Sequence, residues 1–161
     1  LLHAGKDPMT THPHAEYAEL AAPGKDLAPP RLDHLNLSVT DFDDTARWYG
    51  DVFGFVVVER GTYDGRPWGV IRAGDTMLCI YQSPDRVQLD EADHRHHRIN
   101  HFAFRLTDEK RWLENAQRLK LRFFYGGKVE YAHSVSYYVQ DPSGYSIEVA
   151  FWENDRVCFA G

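Results

Sequence analysis

The sequence predicts an α+β domain of two tandem βαβββ modules, which pair into a curved mixed sheet around a central cavity. Three observations support this fold class. Residues 34–41 recur in pattern at 101–108, and an internal repeat this regular indicates a duplicated structural unit. Apolar residues alternate with polar ones at the start of each copy, as in a strand, and an amphipathic helical stretch follows. Gly-containing turns then separate several short apolar runs.

Module one begins with a strand over residues 34–39, where apolar side chains share one face and polar side chains share the other. Thr40 or Asp41 can cap the helix that follows, and Gly54 can end it. The β-branched and apolar runs beyond the helix, separated by Asp-Gly and Gly-Asp turns, predict three more strands. We place them at 55–59, 68–73 and 77–82.

Module two repeats this order. Its first strand begins at His101, and residues 108–120 carry apolar side chains at the spacing of an amphipathic helix. An Asp-Pro-Ser-Gly turn at 141–144 separates the last two strands. We place the three later strands of this module at 121–125, 134–139 and 145–151.

These elements divide the chain into an arm, one domain and a short tail. The arm is rich in Ala, Pro and charged residues, a composition that predicts a partly flexible segment before the domain. The predicted boundaries are 1–30 for the arm, 31–83 for module one, 84–98 for the linking loop, 99–154 for module two and 155–161 for the tail.

Composition narrows the class of partner. With 161 residues, 43% of them hydrophobic, the chain can build one real core. The net charge of −6 and the lack of a basic stripe argue against nucleic acid. No apolar run is long enough for a membrane helix, and no signal peptide begins the sequence. We therefore expect a cytoplasmic protein that binds a small molecule.

Three residues form a candidate metal site. His34 and His101 hold equivalent positions at the start of each module, on the face opposite the apolar side chains. Glu148 lies between Ile147 and Val149, where a carboxylate is costly unless it has a partner. Paired modules direct equivalent positions into one cavity, and two imidazoles with one carboxylate bind a divalent metal with positions left open. We predict His34, His101 and Glu148 as the ligands.

The repeat also aligns Cys79 of module one with Glu148 of module two. A thiolate could bind metal, but a thiol between Leu78 and Ile80 is expected to be buried and neutral. We therefore place Cys79 among residues that line the substrate cavity.

Several segments together resemble the vicinal oxygen chelate superfamily, which includes glyoxalase I, fosfomycin-resistance thiol transferases, extradiol dioxygenases and bleomycin-binding proteins. The resemblance covers residues 31–154. It is carried by Asp33-His-Leu-Asn-Leu-Ser-Val39, by the stretch 48–55, by Asn100-His-Phe-Ala-Phe104 and by the stretch 136–149 with its Asp-Pro-Ser-Gly turn. It implies an enzyme with one divalent metal per site, in a homodimer that can share each site between two chains.

The resemblance to extradiol dioxygenases favours ring cleavage with iron(II) as the leading reaction. These enzymes also use two histidines and a glutamate, and Tyr138 matches the tyrosine that hydrogen-bonds the substrate oxygen. His133 is the candidate second-sphere acid or base. The ligand set also suits manganese, zinc or nickel.

Two alternatives remain within the resemblance. A fosfomycin-type thiol transferase would use Lys128 to hold an anionic substrate, with Asn36 where those enzymes have a threonine; a glyoxalase I-like lyase is disfavoured because Cys79 replaces its acidic ligand. The alternative from another class is a metal-free module that binds a drug, as bleomycin-resistance proteins do.

Overall fold

The computed structural model describes residues 32–86 and 99–157. The predicted arm 1–30, residues 87–98 of the linking loop and residues 158–161 of the tail lie outside this part of the chain.

Each module has one helix and four strands. Module one contains β1 (Leu35–Val39), α1 (Phe42–Phe53), β2 (Val56–Tyr63), β3 (Arg66–Ala73) and β4 (Thr76–Gln82). Module two contains β5 (Phe102–Arg105), α2 (Glu109–Arg118), β6 (Val129–Glu130), β7 (Ser134–Gln140) and β8 (Ser146–Trp152), and a 3-10 turn over Glu153–Asp155 follows.

The two modules share one sheet topology. The strand orders are β1-β4-β3-β2 and β5-β8-β7-β6. In both sheets the first strand runs parallel to the fourth, and the remaining pairs are antiparallel. The predicted α+β fold of two βαβββ modules is therefore confirmed. β1 and β5 each form an edge, and within the described residues no strand pairing joins one sheet to the other.

The predicted helix signals act as expected. The Asp41 carboxylate accepts from the backbone N–H of Asp44 and caps α1, which settles the choice between Thr40 and Asp41. Gly54 ends that helix with φ of 77°, a left-handed conformation that glycine adopts without strain. Asp108 caps α2 in the same way, by accepting from Arg111 N–H.

One predicted strand is wrong. Residues 121–125 form no strand, and the short β6 begins four residues later, at Val129. Tyr125, Gly126 and Gly127 have φ values of 54°, 80° and 105°, so the chain turns in a left-handed conformation that a strand cannot contain. The apolar pattern there has another cause, because Leu121 and Phe123 pack against the hydrophobic core.

The buried carboxylate of Asp141, in the predicted Asp-Pro-Ser-Gly turn, links the two modules through hydrogen bonds. Asp141 Oδ1 accepts from the backbone N–H groups of Ser143 at 2.9 Å and Tyr145 at 2.8 Å. Its Oδ2 accepts from the Tyr49 hydroxyl of α1 at 3.2 Å. Ser143 Oγ in turn accepts from the backbone N–H of Thr40. This network fixes the turn of module two against the helix of module one.

None of the helices in the described part of the chain has the length and apolar character that crossing a membrane requires.

Candidate functional site

Two of the three predicted metal ligands lie together in module two. His101 Nε2 is 3.0 Å from Glu148 Oε2. His101 immediately precedes β5, and Glu148 is in the middle of β8, where its register partner in β5 is Ala103. Because side chains two residues apart share a face of a strand, His101 and Glu148 project from the same side of this sheet.

Strand β7 adds two side chains to this pair. Tyr138 lies directly across from Glu148 in the antiparallel register, and its ring stands perpendicular to the His101 ring, with 5.7 Å between centroids. Ser136, two residues away on the same face, donates its hydroxyl to Glu148 Oε1 at 2.6 Å. The imidazole, the carboxylate and two hydroxyls thus form one polar cluster.

Tyr138 is held as a neutral phenol. Partial burial, the Tyr131 hydroxyl and the Glu148 carboxylate all raise the pKa of Tyr138 above its usual value, with burial the largest cause. The two tyrosine hydroxyls are 2.9 Å apart. A protonated phenol beside the His101 and Glu148 pair can donate a hydrogen bond to a bound oxygen atom and is not available as a base.

His34 is not grouped with this pair, although it lines a cavity of about 590 Å³ that β5 also borders. Its Nδ1 contacts Asp33 Oδ2 at 2.6 Å, and the imidazole is half exposed. No three side chains of His, Cys, Asp or Glu come together as a possible metal group anywhere in 32–86 or 99–157. A single chain therefore supplies the His101 and Glu148 pair without His34.

The corresponding face of module one has a cavity with uncharged, partly aromatic walls. Asn36 and Cys79 are register partners on neighbouring strands β1 and β4. They border a cavity of about 420 Å³, and no charged side chain is among the described residues that line it; the others are Ser38, Tyr63, Trp68, Ile80 and Tyr81. Tyr63 and Tyr81 form an edge-to-face pair with centroids 5.9 Å apart. This face suits a flat, neutral group.

Cys79 is held as a thiol. Burial raises the pKa of Cys79 above its usual value, and the Asp33 and Glu59 carboxylates add to that effect. A neutral thiol is a poor metal ligand and a poor nucleophile. The structure places Cys79 on the wall of the module-one cavity, half-buried and not fully buried as expected, and its part in substrate binding stays a prediction.

Two further candidates have partners outside the cluster. Lys128 Nζ pairs with Glu130 Oε1 at 2.9 Å on the surface, so its charge is matched within its own module. His133 Nδ1 lies 3.4 Å from Glu153 Oε2. His133 lies in the bend that precedes β7.

Comparison with known proteins decides the family. The sequence model of the Glyoxalase/Bleomycin resistance protein/Dioxygenase superfamily matches residues 31–149. The chain belongs to this superfamily. No curated protein is a significant sequence match.

Solved structures of this superfamily share the fold. A glyoxylase/bleomycin resistance protein/dioxygenase domain from Frankia sp. EAN1pec superposes with a TM-score of 0.66 at 16% identity, covering 80% of this chain and 96% of that chain. Lactoylglutathione lyase from Agrobacterium tumefaciens gives 0.56 at 24% identity, covering 76% and 94%. FosX from Listeria monocytogenes, a fosfomycin resistance protein complexed with Mn(II), gives 0.63 at 17% identity, covering 81% and 98%. At these identities the likeness concerns the fold.

Sequence reasoning missed three participants in the site of this superfamily member. Ser136 had a usable signal, because it lies two residues before Tyr138 and must share its face. Tyr131 lies between the short strand β6 and β7 and had no periodic signal. Trp68 had no feature that set it apart from the other aromatic residues, and the structure places it on the wall of the module-one cavity.

Proposed function

We propose that the chain is a divalent-metal oxygenase that cleaves the ring of a small phenolic substrate bearing two neighbouring oxygen atoms. The observation that carries this proposal is the protonated Tyr138 beside the His101 and Glu148 pair. The module-one cavity, by contrast, has uncharged and partly aromatic walls. Such a substrate needs a hydrogen-bond donor at its oxygens and a flat apolar wall for its ring.

The donor set fits a divalent metal. His101 and Glu148 present a nitrogen and an oxygen 3.0 Å apart. His34 uses Nδ1 to contact Asp33, which leaves Nε2 for a metal; metal-bound histidines usually have a carboxylate at the other ring nitrogen. Two histidines and one carboxylate with open positions are typical of iron(II) oxygenases. The metal would supply Lewis-acid binding of substrate oxygens and electron transfer to dioxygen.

We infer that His34 reaches this centre from a second copy of the chain, in a homodimer. One chain lacks a three-ligand group among its described residues, while β1 and β5, the strands next to His34 and His101, both lie at sheet edges. An edge strand has unpaired backbone groups that can pair with another chain. Joining these edges across a dimer would bring the module-one cavity of one copy to the Tyr138 cluster of the other.

The protein residues then have distinct tasks. Tyr138 donates its hydroxyl proton in a hydrogen bond to a substrate oxygen. Trp68, Tyr63 and Tyr81 hold the ring and exclude water. Lys128 pairs with Glu130, so its charge is not free to bind an anionic phosphonate substrate. We assign no task to His133.

Oxygen uptake tests the reaction. Protein is loaded anaerobically with iron(II) or with manganese(II) and is then mixed with catechol, or with an epoxyphosphonate plus a thiol. The concentrations of dioxygen and of free thiol are then measured over time. We expect oxygen consumption and a ring-opened product with the catechol alone. If the manganese-loaded protein consumes thiol and neither sample consumes dioxygen, the oxygenase proposal is wrong and the protein is a thiol transferase. Binding of a drug without any metal would replace it with a sequestering module.

Replacing Tyr138 with phenylalanine is expected to lower turnover of the active catechol about a hundredfold, because losing one positioned hydrogen-bond donor to a developing negative charge costs about 10² to 10³ in rate. Metal affinity is expected to change less than about twofold, since the hydroxyl does not bind the metal in our proposal. Steady-state kinetics and metal titration measure both. Tyr137→Phe is the matched control, because that hydroxyl bonds Glu109 on the other face. Equal losses in both variants would contradict the role of Tyr138.

Subunit complementation tests the shared site. A heterodimer of one His34→Ala chain and one Glu148→Ala chain, isolated with two affinity tags, is expected to bind about one metal ion per dimer, because one intact ligand set survives across the two chains. A wild-type chain paired with the double variant is the control and is expected to bind almost none. Sites confined to one chain would give the reverse pattern, measured by elemental analysis.

A further inference from the structure

The two oxygen atoms of Glu148 have different partners. Oε1 accepts the Ser136 hydroxyl at 2.6 Å, while Oε2 faces His101 Nε2 at 3.0 Å. Ser136 is 1% exposed, so water does not compete for this hydrogen bond. A hydroxyl-to-carboxylate bond this short is charge-assisted and strong, and it fixes the rotation of the carboxylate about its last single bond.

We propose that Ser136 is a positioning residue that restricts Glu148 to binding the metal through one oxygen. This inference rests on the proposed metal centre. A carboxylate can bind a metal through one or both oxygens. Oε1 is engaged by Ser136, so Oε2, the oxygen beside His101, is the one presented to a metal. The coordination position that a second carboxylate oxygen would occupy then stays open for substrate or dioxygen.

The strand provides a matched control for this contact. Ser134 lies two residues before Ser136, on the same face of β7, and is also buried. Its register partner is Trp152, whereas Ser136 lies across from Ala150, two residues beyond Glu148 in β8. Ser134→Ala therefore removes the same atom from the same strand without touching the carboxylate.

Cobalt(II) titration tests the inference in the full chain. Its visible absorption responds to coordination number, so it reports on the carboxylate independently of activity. We expect Ser136→Ala to weaken cobalt binding about tenfold or more, the usual cost of losing an outer partner of a ligand, and to change the visible spectrum. Ser136→Thr, which keeps the hydroxyl, is expected to restore both quantities, and Ser134→Ala to match the wild type.

The outcomes separate this inference from the proposed function. If the wild type binds cobalt and Ser136→Ala retains its affinity and spectrum, the positioning role is wrong and the metal centre stands. If Ser134→Ala weakens cobalt binding as much as Ser136→Ala, the effect belongs to the strand and the inference fails. If the wild type binds no divalent metal, the proposed function fails first. Ser136→Ala adds no atoms to the buried site. Its cobalt affinity therefore tests the positioning role even if Ser136→Thr does not fold.

Discussion

Replacing Glu148 with glutamine is expected to weaken divalent-metal binding by more than about a hundredfold, beyond the range for losing an outer partner of a ligand. The amide keeps the shape of the side chain and can still accept from Ser136, but it loses the negative charge that attracts the cation. Turnover is expected to fall at least as far, because no substrate oxygen can then be held by the metal. Anaerobic calorimetric titration with iron(II) or manganese(II) measures the affinity.

Glu153→Gln is the control for that experiment. Glu153 follows β8 directly, is exposed, and contacts His133 outside the cluster. The same change of charge there is expected to leave metal affinity within about twofold of the wild type, because a surface charge outside the cluster is screened by solvent. Unchanged metal binding in Glu148→Gln would remove Glu148 from the ligand set.

Replacing Asp141 with alanine is expected to lower the free energy of unfolding by about 3 kcal/mol or more. The change leaves the N–H groups of Ser143 and Tyr145 and the hydroxyl of Tyr49 without their acceptor, and each buried unsatisfied donor costs about 1–3 kcal/mol. Asp141 is 5% exposed, so water replaces little of what is lost. Urea denaturation of metal-free protein measures the effect without a contribution from metal binding.

Asp141→Asn separates the lost acceptor from the lost charge. The amide oxygen can still accept from the two backbone N–H groups of the turn. The expected loss is therefore about 1 kcal/mol, confined to the bond with Tyr49. If asparagine destabilised the protein as much as alanine, charge rather than hydrogen bonding would hold the modules together.

Much of the fold could be predicted because it depends on local rules. The repeat of residues 34–41 at 101–108 indicated the number of modules. The cap at Thr40 or Asp41 indicated where the first helix begins. The error at 121–125 has a physical reason. A short apolar run predicts burial, but it does not tell a strand from an irregular segment, and the left-handed turn at Tyr125 decided the outcome.

The candidate site could be predicted in part. The resemblance supplied Tyr138, and period two explains why it shares a face with Glu148, because neighbouring strands of one sheet obey the same alternation. His34 belongs to another sheet, and no local pattern states whether two sheets of one chain or of two chains come together. The ion-pair partners of Lys128 and His133 could not be predicted either, because both residues lie in loops, where no repeating pattern indicates the direction of a side chain.

The absence of a three-ligand group from the described part of one chain has a consequence for how the protein would behave at low abundance. If each centre is divided between two copies, the number of centres follows the population of dimers, and mass action makes that population fall faster than the total amount of chain on dilution. Specific activity would then decline in dilute solution. Chain synthesis in the cell would thus act as a threshold control, with little catalysis until copies become numerous enough to pair.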